Sequence, residues 1–531
     1  DFGSSAKSSI NALDGDETLT NDQGGLLRAY NDYFNLDVIN EGVFDIFGDA
    51  GFNSDLTAAS DGTIAIHIGG NTQGTQYTHL ATWGDVSLDG TLDVSFENGF
   101  TPTLGASFEV MTWLTPPVGT FAQLSGVDAG NGLMLIPTYT ATGLILTVVD
   151  PTDMSWNGNA GDGDWHNPAN WDAGVPVANN SVILDGVAEF STGVSQLAGL
   201  TVAAGSTLDV TGGDLDVAIA SNFAAGSTLN LENGTIGGDG DIVADGDFNW
   251  TGGSLAGGGD MTVNGVTSLG ATLTLGKTLT LAGGDLITIG SGVMDGTGVL
   301  ALTDTSGGLN ITGNQTFNVD VNSDALMSVS GDGNAINGTY SGGNLANISV
   351  LADAGSNASL EFATGFENKG TLTLDNMDAG AAYAATLSVL DGALINGGAV
   401  FSQNTGGGGD RILAAELNNQ GTVQVNHDLT IARAGAFHQN NDVINVDASL
   451  LTFGDHFTGE KGSDIFLTNG ASLAFDNISL GGTLHLSMNG AAENDVFNIA
   501  SWNLKEGAYE KLTGFELGNN LLLDADISAT G

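Results

Sequence analysis

The sequence contains no cysteine among its 531 residues. This absence excludes a disulfide framework, a thiolate metal site and a cysteine nucleophile. No apolar run reaches the roughly 18 residues that a transmembrane helix needs, so we expect no membrane insertion by this segment.

Basic residues are scarce as well. The chain has 9 Lys and Arg against 62 Asp and Glu, which gives a formal net charge of −53. Ordinary nucleic-acid binding is excluded, because it needs Lys and Arg to displace counterions from phosphates. Binding to anionic membrane surfaces is disfavoured for the same reason. The acidic balance instead favours solubility and divalent cations as partners.

The sequence also has few stretches that favour an α-helix. Few runs of Ala, Leu, Glu or Lys lie at helical spacing, and 82 glycines interrupt the chain. Thr, Val, Ile, Leu, Asn, Asp and Gly dominate, which is typical of strands and turns. With a hydrophobic fraction of 41%, the chain can bury a large core. We therefore predict an all-β protein.

A short repeat is present throughout the second half. AAGSTLDV (203–210) and AAGSTLNL (224–231) start 21 residues apart, as do NNQGTVQV (418–425) and QNNDVINV (439–446). Short alternating strands at this period predict a right-handed parallel β-solenoid with rungs of about 21 residues. Inward Leu, Val and Ile would stack into one core, and Asn or Asp at equivalent corners would form hydrogen-bonded ladders.

A second repeat has a much longer period and relates a segment of the first third of the sequence to its last residues. GVDAGNGLMLIPTYTATG (126–143) resembles GFELGNNLLLDADISATG (514–531). The two copies indicate one architecture used twice, a solenoid followed by a closing β-unit. The predicted domains are a solenoid end with its closing β-unit at 1–149, a Trp-rich junction at 150–190, a solenoid at 191–470, and a second closing β-unit lacking its last strand at 471–531.

The downstream copy stops at Gly531, where the upstream copy enters the strand LILTVV (144–149). A sheet without that strand would present an open edge, which readily accepts another strand. Either the polypeptide continues past Gly531, or a neighbouring subunit supplies the strand, for example from its segment 1–30. The predicted assembly edge consists of Leu521, Leu522, Leu523 and Ile527.

The junction WNGNAGDGDWHNPANWDAGVPVANNSVIL (156–184) holds three of the seven Trp residues. Its W…GxW…NW..G.P pattern resembles that of secreted bacterial β-solenoid repeat proteins, including autotransporter-type passenger domains and adhesins. Units such as FENKGTLTL (366–374) are similar to the rungs of that group. The resemblance implies an extracellular or cell-surface protein and implies no catalytic residues.

Two interpretations of the junction tryptophans are open. Large aromatic residues can seal a solenoid and bury its last rung. Alternatively, Trp165 and Trp171 would form a platform on which sugars stack.

The acidic loop GDGDW (161–165) is a candidate calcium site. Asp162 and Asp164 stand one residue apart around a glycine, as at the start of an oxygen-ligand loop. No EF-hand is completed, and a polar turn would give the same pattern. Calcium is the one cofactor that the sequence suggests.

Catalytic motifs are missing. The seven histidines form no HxxxH or HxH pair, and there is no G-x-S-x-G. The few basic residues of the solenoid are scattered, whereas β-helix lyases use a basic residue as proton acceptor. We therefore predict that the chain is not an enzyme.

The leading hypothesis is a structural, extracellular protein that self-associates into, or decorates, a filament, sheath or cell-surface layer. Stacked rungs and strand addition between subunits would provide the assembly. One alternative is a surface adhesin that binds a polysaccharide or cell-surface glycan through Trp165 and Trp171. A polysaccharide-degrading β-helix enzyme is the third.

Overall fold

The computed structural model describes residues 9–11, 17–270, 272–353, 355–487, 500–507 and 511–513. Strands make up 57% of the described residues and helix 1%. The strands pair in parallel from turn to turn, with rungs of about 21 residues and about 22 turns in total, which confirms the predicted all-β parallel solenoid.

The chain forms two compact units. The first consists of Asp1–Ser227, Thr235–Val243 and Gly257–Asp260. The second consists of Thr228–Gly234, Ala244–Ala256 and Met261–Gly531.

Three parallel sheets form the first five turns of the first unit, and each turn adds one strand to each sheet. The first sheet contains Ser9–Asn11, Tyr33–Asn35, Asp49–Phe52, His79–Thr82 and Ser107–Trp113. The second contains Thr18–Asn21, Asp37–Asn40, Leu56–Ala58, Val86–Leu88 and Val118–Gly119. The third contains Leu26–Tyr30, Val43–Phe47, Thr63–Ile68, Thr91–Phe96 and Gln123–Ser125.

An antiparallel unit closes these turns. Gly143–Val149 pairs antiparallel with Ser107–Trp113 on one side and with Leu133–Tyr139 on the other, and Asp128–Gly130 follows. The segment LILTVV, predicted to be a final strand, is therefore an interior strand that is hydrogen-bonded along both edges.

A further set of turns completes the first unit. One side contains Thr152–Ser155, Asn180–Leu184, Gly199–Val202, Ser221–Phe223 and Ile242–Ala244, whose last residue belongs to the second unit. The second side contains Val187–Phe190 and Thr207–Val210. The third contains Val194–Leu197, Asp214–Val217 and Thr235–Gly237. A single 3-10 turn, Pro168–Asn170, lies in the Trp-rich junction.

The second unit starts with three strands per turn. One side contains Met261–Val263, Thr278–Leu281, Val299–Leu302, Asp320–Ser323 and Tyr340–Gly342. The next side contains two separate sheets. The strands Thr228–Leu231, Asp247–Trp250 and Thr267–Leu269 belong to the first. The second contains Ile287–Ile289, Leu309–Ile311, Leu326–Val329, Asn347–Ala352, Thr371–Asn376, Ala399–Ser402, Thr422–Val425, Val443–Asp447, Asp464–Thr468, Thr483–Ser487 and Lys511–Thr513. The last contains Ser254–Leu255, Thr272–Leu275, Gly292–Asp295, Gln315–Phe317, Asn334–Ile336, Ala358–Asn368, Ala385–Asn396, Arg411–Asn419, Leu429–Ile431, Phe437–Asn440, Leu450–Gly459, Ser472–Leu480 and Ala500–Gly507.

The rungs change after Tyr340–Gly342. From Ala358–Asn368 onward most turns have one long strand and one short strand instead of three short ones. The long strands Ala358–Asn368 and Ala385–Asn396 cover 11 and 12 residues and shift register part of the way along. A register shift of this kind bends a strand. In these turns one bent long strand therefore takes the place of two short strands that meet at a corner.

Alternation of apolar and polar residues builds the core. Inward side chains of successive rungs lie in register. Each fully buried Val, Leu or Ile side chain contributes about 1.5–3 kcal/mol to the free energy of folding. One apolar column of the second unit, in which no side chain is more than 3% exposed, consists of Ile348, Leu372, Val400, Val423, Ile444, Ile465 and Leu484.

Glycine is required at some corners. Gly213 has a φ of +72°, a left-handed conformation, and a Cβ there would lie 2.5 Å from the carbonyl oxygen of Gly193 on the previous rung. Any other residue would clash with that backbone, so glycine permits the close stacking of these corners.

Candidate functional site

The two junction tryptophans are buried. Trp165 is fully buried and Trp171 is 4% exposed, and their rings meet edge to face with centroids 4.7 Å apart. Trp171 Nε1–H donates to the carbonyl oxygen of Trp165 at 2.7 Å, and Trp165 also packs on Phe190 of the adjacent rung. Neither ring offers a free face to a sugar, so burial contradicts the sugar-stacking interpretation at these residues. The alternative, an aromatic cluster that covers a rung, fits the contacts.

The acidic loop of the junction is closed on itself. Asp162 accepts hydrogen bonds from Asn170 Nδ2 at 2.6 Å, Asn167 Nδ2 at 2.7 Å and the Asp164 backbone at 3.1 Å. The bonds from Asn167 and Asn170 hold the pKa of Asp162 below its ordinary value. Asp164 accepts from the His166 backbone at 2.9 Å. In this structure both carboxylates brace the turn, and calcium binding by Asp162 and Asp164 stays a prediction.

No group of three or more His, Asp or Glu side chains is placed to hold a metal ion within the described residues. The predicted assembly edge lies outside the described residues. It consists of Leu521, Leu522, Leu523 and Ile527.

A ladder of buried asparagines runs through four rungs of the second unit. Asn368 Nδ2 donates to Asn396 Oδ1 at 2.8 Å, Asn396 to Asn419 at 2.7 Å, and Asn419 to Asn440 at 2.7 Å. All four side chains are buried, and the corner ladders predicted from the sequence are thus confirmed. The first three side chains each donate a second hydrogen bond, to the carbonyl oxygens of Ala399, Thr422 and Val443.

A buried ion pair holds two neighbouring loops of the second unit. Arg411, 1% exposed, donates from Nε to the Gln403 carbonyl at 2.9 Å and from Nη1 to the Gly409 carbonyl at 3.0 Å. Its Nη2 lies 3.8 Å from Asp375 Oδ1, and Asp375 also accepts from the Thr405 backbone and hydroxyl. Burial lowers the pKa of Arg411, and the charge of Asp375 opposes that shift.

Polar side chains of the first unit form a charge ladder across four rungs. Arg28 Nε lies 2.9 Å from Asp45 Oδ2, and Asp45 Oδ1 lies 2.7 Å from His67 Nε2. His67 Nδ1 contacts both Ser95 Oγ at 2.7 Å and Glu97 Oε1 at 2.9 Å. The distances are those of an Asp–His–Ser triad, but Glu97 competes with Ser95 for the same ring nitrogen. The set therefore fits a hydrogen-bonded ladder of polar side chains on stacked strands better than an activated serine.

His438 is a buried neutral histidine in the second unit. Its Nδ1 accepts from the Leu417 backbone N–H at 3.2 Å, so its Nε2 is the donor to the Gly454 carbonyl at 2.9 Å. Burial lowers the pKa of His438 below its ordinary value of 6.5, although the Gly454 hydrogen bond and the charges of Glu416 and Asp455 oppose the shift.

Acidification is expected to destabilise the second unit through His438. The unfolded chain binds this proton more tightly than the folded chain does, so the free energy of unfolding falls as pH drops below 6.5. Urea unfolding followed by circular dichroism from neutral pH to about pH 5.5 measures the effect, before most carboxylates titrate. The variant His438→Gln should lose this pH dependence, and the partly exposed His166→Gln should keep it. An identical pH profile for wild type and His438→Gln would contradict the assignment.

Sequence reasoning did not predict the roles of Arg411, His438 or the ladder around His67. Their partners lie on other rungs, and the spacing depends on the loops between rungs. The buried asparagines did carry a signal, because the pair NN recurs near the 21-residue period at 418–419 and 440–441.

Fold and side-chain geometry together define a parallel β-solenoid repeat protein. Comparison with protein-family models, with curated proteins and with solved structures finds no match. No helix in the described part of the chain is long and apolar enough to cross a membrane.

Proposed function

We propose that the chain is a non-enzymatic, extracellular structural protein that self-associates into, or decorates, a filament, sheath or cell-surface layer. The observation that carries this proposal is the stacking of rungs in register, which buried asparagines reinforce across four rungs of the second unit. Asn21 and Asn40 repeat the arrangement in the first unit at 2.7 Å. Because each backbone ladder and each amide ladder resists sliding, the rungs suit a mechanical task.

The surface charge suggests how assembly would be controlled. With a net charge of −53, copies of the chain repel each other at low ionic strength. Salt screens such repulsion over about 10 Å at 0.1 M. Divalent cations can in addition bridge carboxylates of two copies. We therefore expect association to depend on cations.

Strand addition at the first described rung is one route by which two copies would associate. Leu26–Tyr30 pairs with Val43–Phe47 and Thr18–Asn21 pairs with Asp37–Asn40, and neither has a second partner among the described residues. Leu26 is 53% exposed on this edge. Unpaired backbone groups of this kind can accept a strand from a second copy. The extracellular location is supported by the resemblance of the junction to secreted solenoid proteins.

Sedimentation velocity tests the proposal. The purified chain is compared in low salt with a chelator, in millimolar calcium, and in sodium chloride of matched ionic strength. We expect monomers in the first condition and a growing mass when cations are added, because repulsion between acidic surfaces is removed.

The double variant Asp162→Asn/Asp164→Asn serves as the control. If calcium acts by bridging acidic surfaces, this variant assembles as wild type does, whereas a calcium site in the junction loop would make it insensitive. Monomers in every condition would contradict the proposed self-association.

A further inference from the structure

An exposed aromatic surface lies on the outer face of the first sheet of the first unit. Trp83 follows the strand His79–Thr82 and is 45% exposed. The ring of Tyr33 lies beside it, with centroids 6.4 Å apart and planes within 21° of each other. Trp83 and Tyr33 are thus neighbouring rings with nearly parallel planes, of which Trp83 is the more exposed, and together they form the aromatic surface.

Gly51, on the strand between them, makes this surface possible. Its neighbours Ala50 and Phe52 point into the core, so Gly51 faces outward, opposite Tyr33 on the preceding rung. A Cβ at Gly51 would lie 2.5 Å from Tyr33 Cδ1 and 3.0 Å from Trp83 Cζ3. Both rings therefore close over the glycine, and a side chain there would push them apart.

An open surface depression of about 300 Å³ lies beside the aromatic surface. Asp49 lies two residues before Gly51 on the same strand, and His79 is its register partner on the next rung. The depression is lined by Asn31, Asp49, Gln73, Gly74, Thr75 and His79.

Hydrogen bonds hold the lining in place before any ligand binds. His79 Nδ1 lies 2.9 Å from Asp49 Oδ1 and its Nε2 lies 3.2 Å from Thr112 Oγ1. Asn31 Oδ1 accepts from the Asp49 backbone at 3.0 Å, and Gln73 Nε2 donates to the Glu109 carbonyl at 3.0 Å. A lining fixed in this way loses little entropy on binding.

We propose that Trp83, Tyr33 and the adjoining depression bind a neutral hexopyranose unit of a polysaccharide. The C–H face of a pyranose ring packs on an aromatic ring, and its hydroxyl groups both donate and accept hydrogen bonds. Gln73 and Asn31, which line the depression, carry amide groups that can both donate and accept hydrogen bonds. Because the chain carries a net charge of −53, uronic and sulfated sugars are repelled. This site goes beyond the proposed structural role and does not rest on it.

Isothermal titration with four defined tetrasaccharides tests the site, in chelator and low salt so that self-association does not contribute. Three probes are neutral: cellotetraose, chitotetraose and mannotetraose. Tetragalacturonate is the acidic probe. We expect at least one neutral probe to bind and to change the tryptophan fluorescence, and the acidic probe not to bind.

Variants assign the binding to Trp83. Trp83→Leu should weaken it by about tenfold or more, as expected for an aromatic residue at the centre of a contact. Trp83→Tyr should retain most of the affinity, because it keeps an aromatic face. Phe437→Leu, at a residue that is 64% exposed in the second unit, is the matched control and should bind as wild type does.

Three results would overturn the inference: no binding of any neutral probe, unchanged binding by Trp83→Leu, or preferred binding of tetragalacturonate. Circular dichroism checks that the variants fold. Should Trp83→Leu fail to fold, Gln73→Ala provides the readout. Gln73 makes one side-chain hydrogen bond to the backbone of Glu109, and its truncation should weaken binding severalfold without affecting the core. Unchanged affinity in Gln73→Ala would then contradict the site.

Discussion

Replacing Asp375 by alanine is expected to lower the local stability of the second unit by about 3–5 kcal/mol, the usual effect of leaving a buried charge without its partner. The Arg411 guanidinium would stay buried, and the hydroxyl and backbone N–H of Thr405 would lose their acceptors. Native-state hydrogen exchange of the rungs around Asp375 and Arg411 measures this change locally, without assuming that the chain unfolds in one step.

A surface ion pair in the same region is the matched control. Glu367 Oε2 lies 3.4 Å from Lys369 Nζ, with both side chains about half exposed. Glu367→Ala should cost less than about 1 kcal/mol, because exposed pairs contribute little. Equal effects of Asp375→Ala and Glu367→Ala would show that the buried pair does not hold the two loops together.

Removing one amide from the asparagine ladder is expected to cause the second large loss of local stability. Asn396→Ala removes one of the two acceptors of the Asn368 amide and the donor to Asn419 Oδ1, and it also removes the donor to the Thr422 carbonyl. Each unsatisfied buried group costs about 1–3 kcal/mol, so we expect a loss of about 2–4 kcal/mol in the local free energy of opening. Hydrogen exchange of the adjoining rungs measures it.

Asn418→Ala provides the comparison within one strand. Asn418 neighbours the buried Asn419 but points outward, where it accepts from Asn441 at 2.9 Å. Its truncation should change stability by less than about 0.5 kcal/mol, as surface substitutions usually do. The double variant Asn396→Ala/Asn419→Ala should lose less than the sum of the single variants, because the two share one hydrogen bond. Full additivity would contradict a coupled ladder.

The solenoid could be predicted because its pattern is local. Runs such as TLTL at 278–281 alternate strictly, and glycine and asparagine mark the ends of each strand. The change from three short strands to one long and one short strand was not predicted. Gly365 lies in the middle of Ala358–Asn368 and is indistinguishable by sequence from a corner glycine, yet it accompanies a register shift inside one strand. Whether a glycine turns or bends the chain depends on the neighbouring rung.

Candidate sites were harder to predict than the fold. Trp165 and Trp171 are close in sequence, which is why a sugar-stacking platform was predicted there. Both side chains are buried, so their rings are not accessible to a ligand. Trp83, Tyr33 and Gly51 belong to three different rungs, and loops of unequal length set which residues face each other. Which aromatic side chains are exposed therefore depends on how the rungs align, and the sequence alone does not give this alignment.

Negative-stain electron microscopy of the native protein shows directly whether the chain self-associates. We expect filaments or layers that extend as calcium or salt is added and that shorten when calcium is chelated. Discrete monomers under every salt and calcium condition would contradict it.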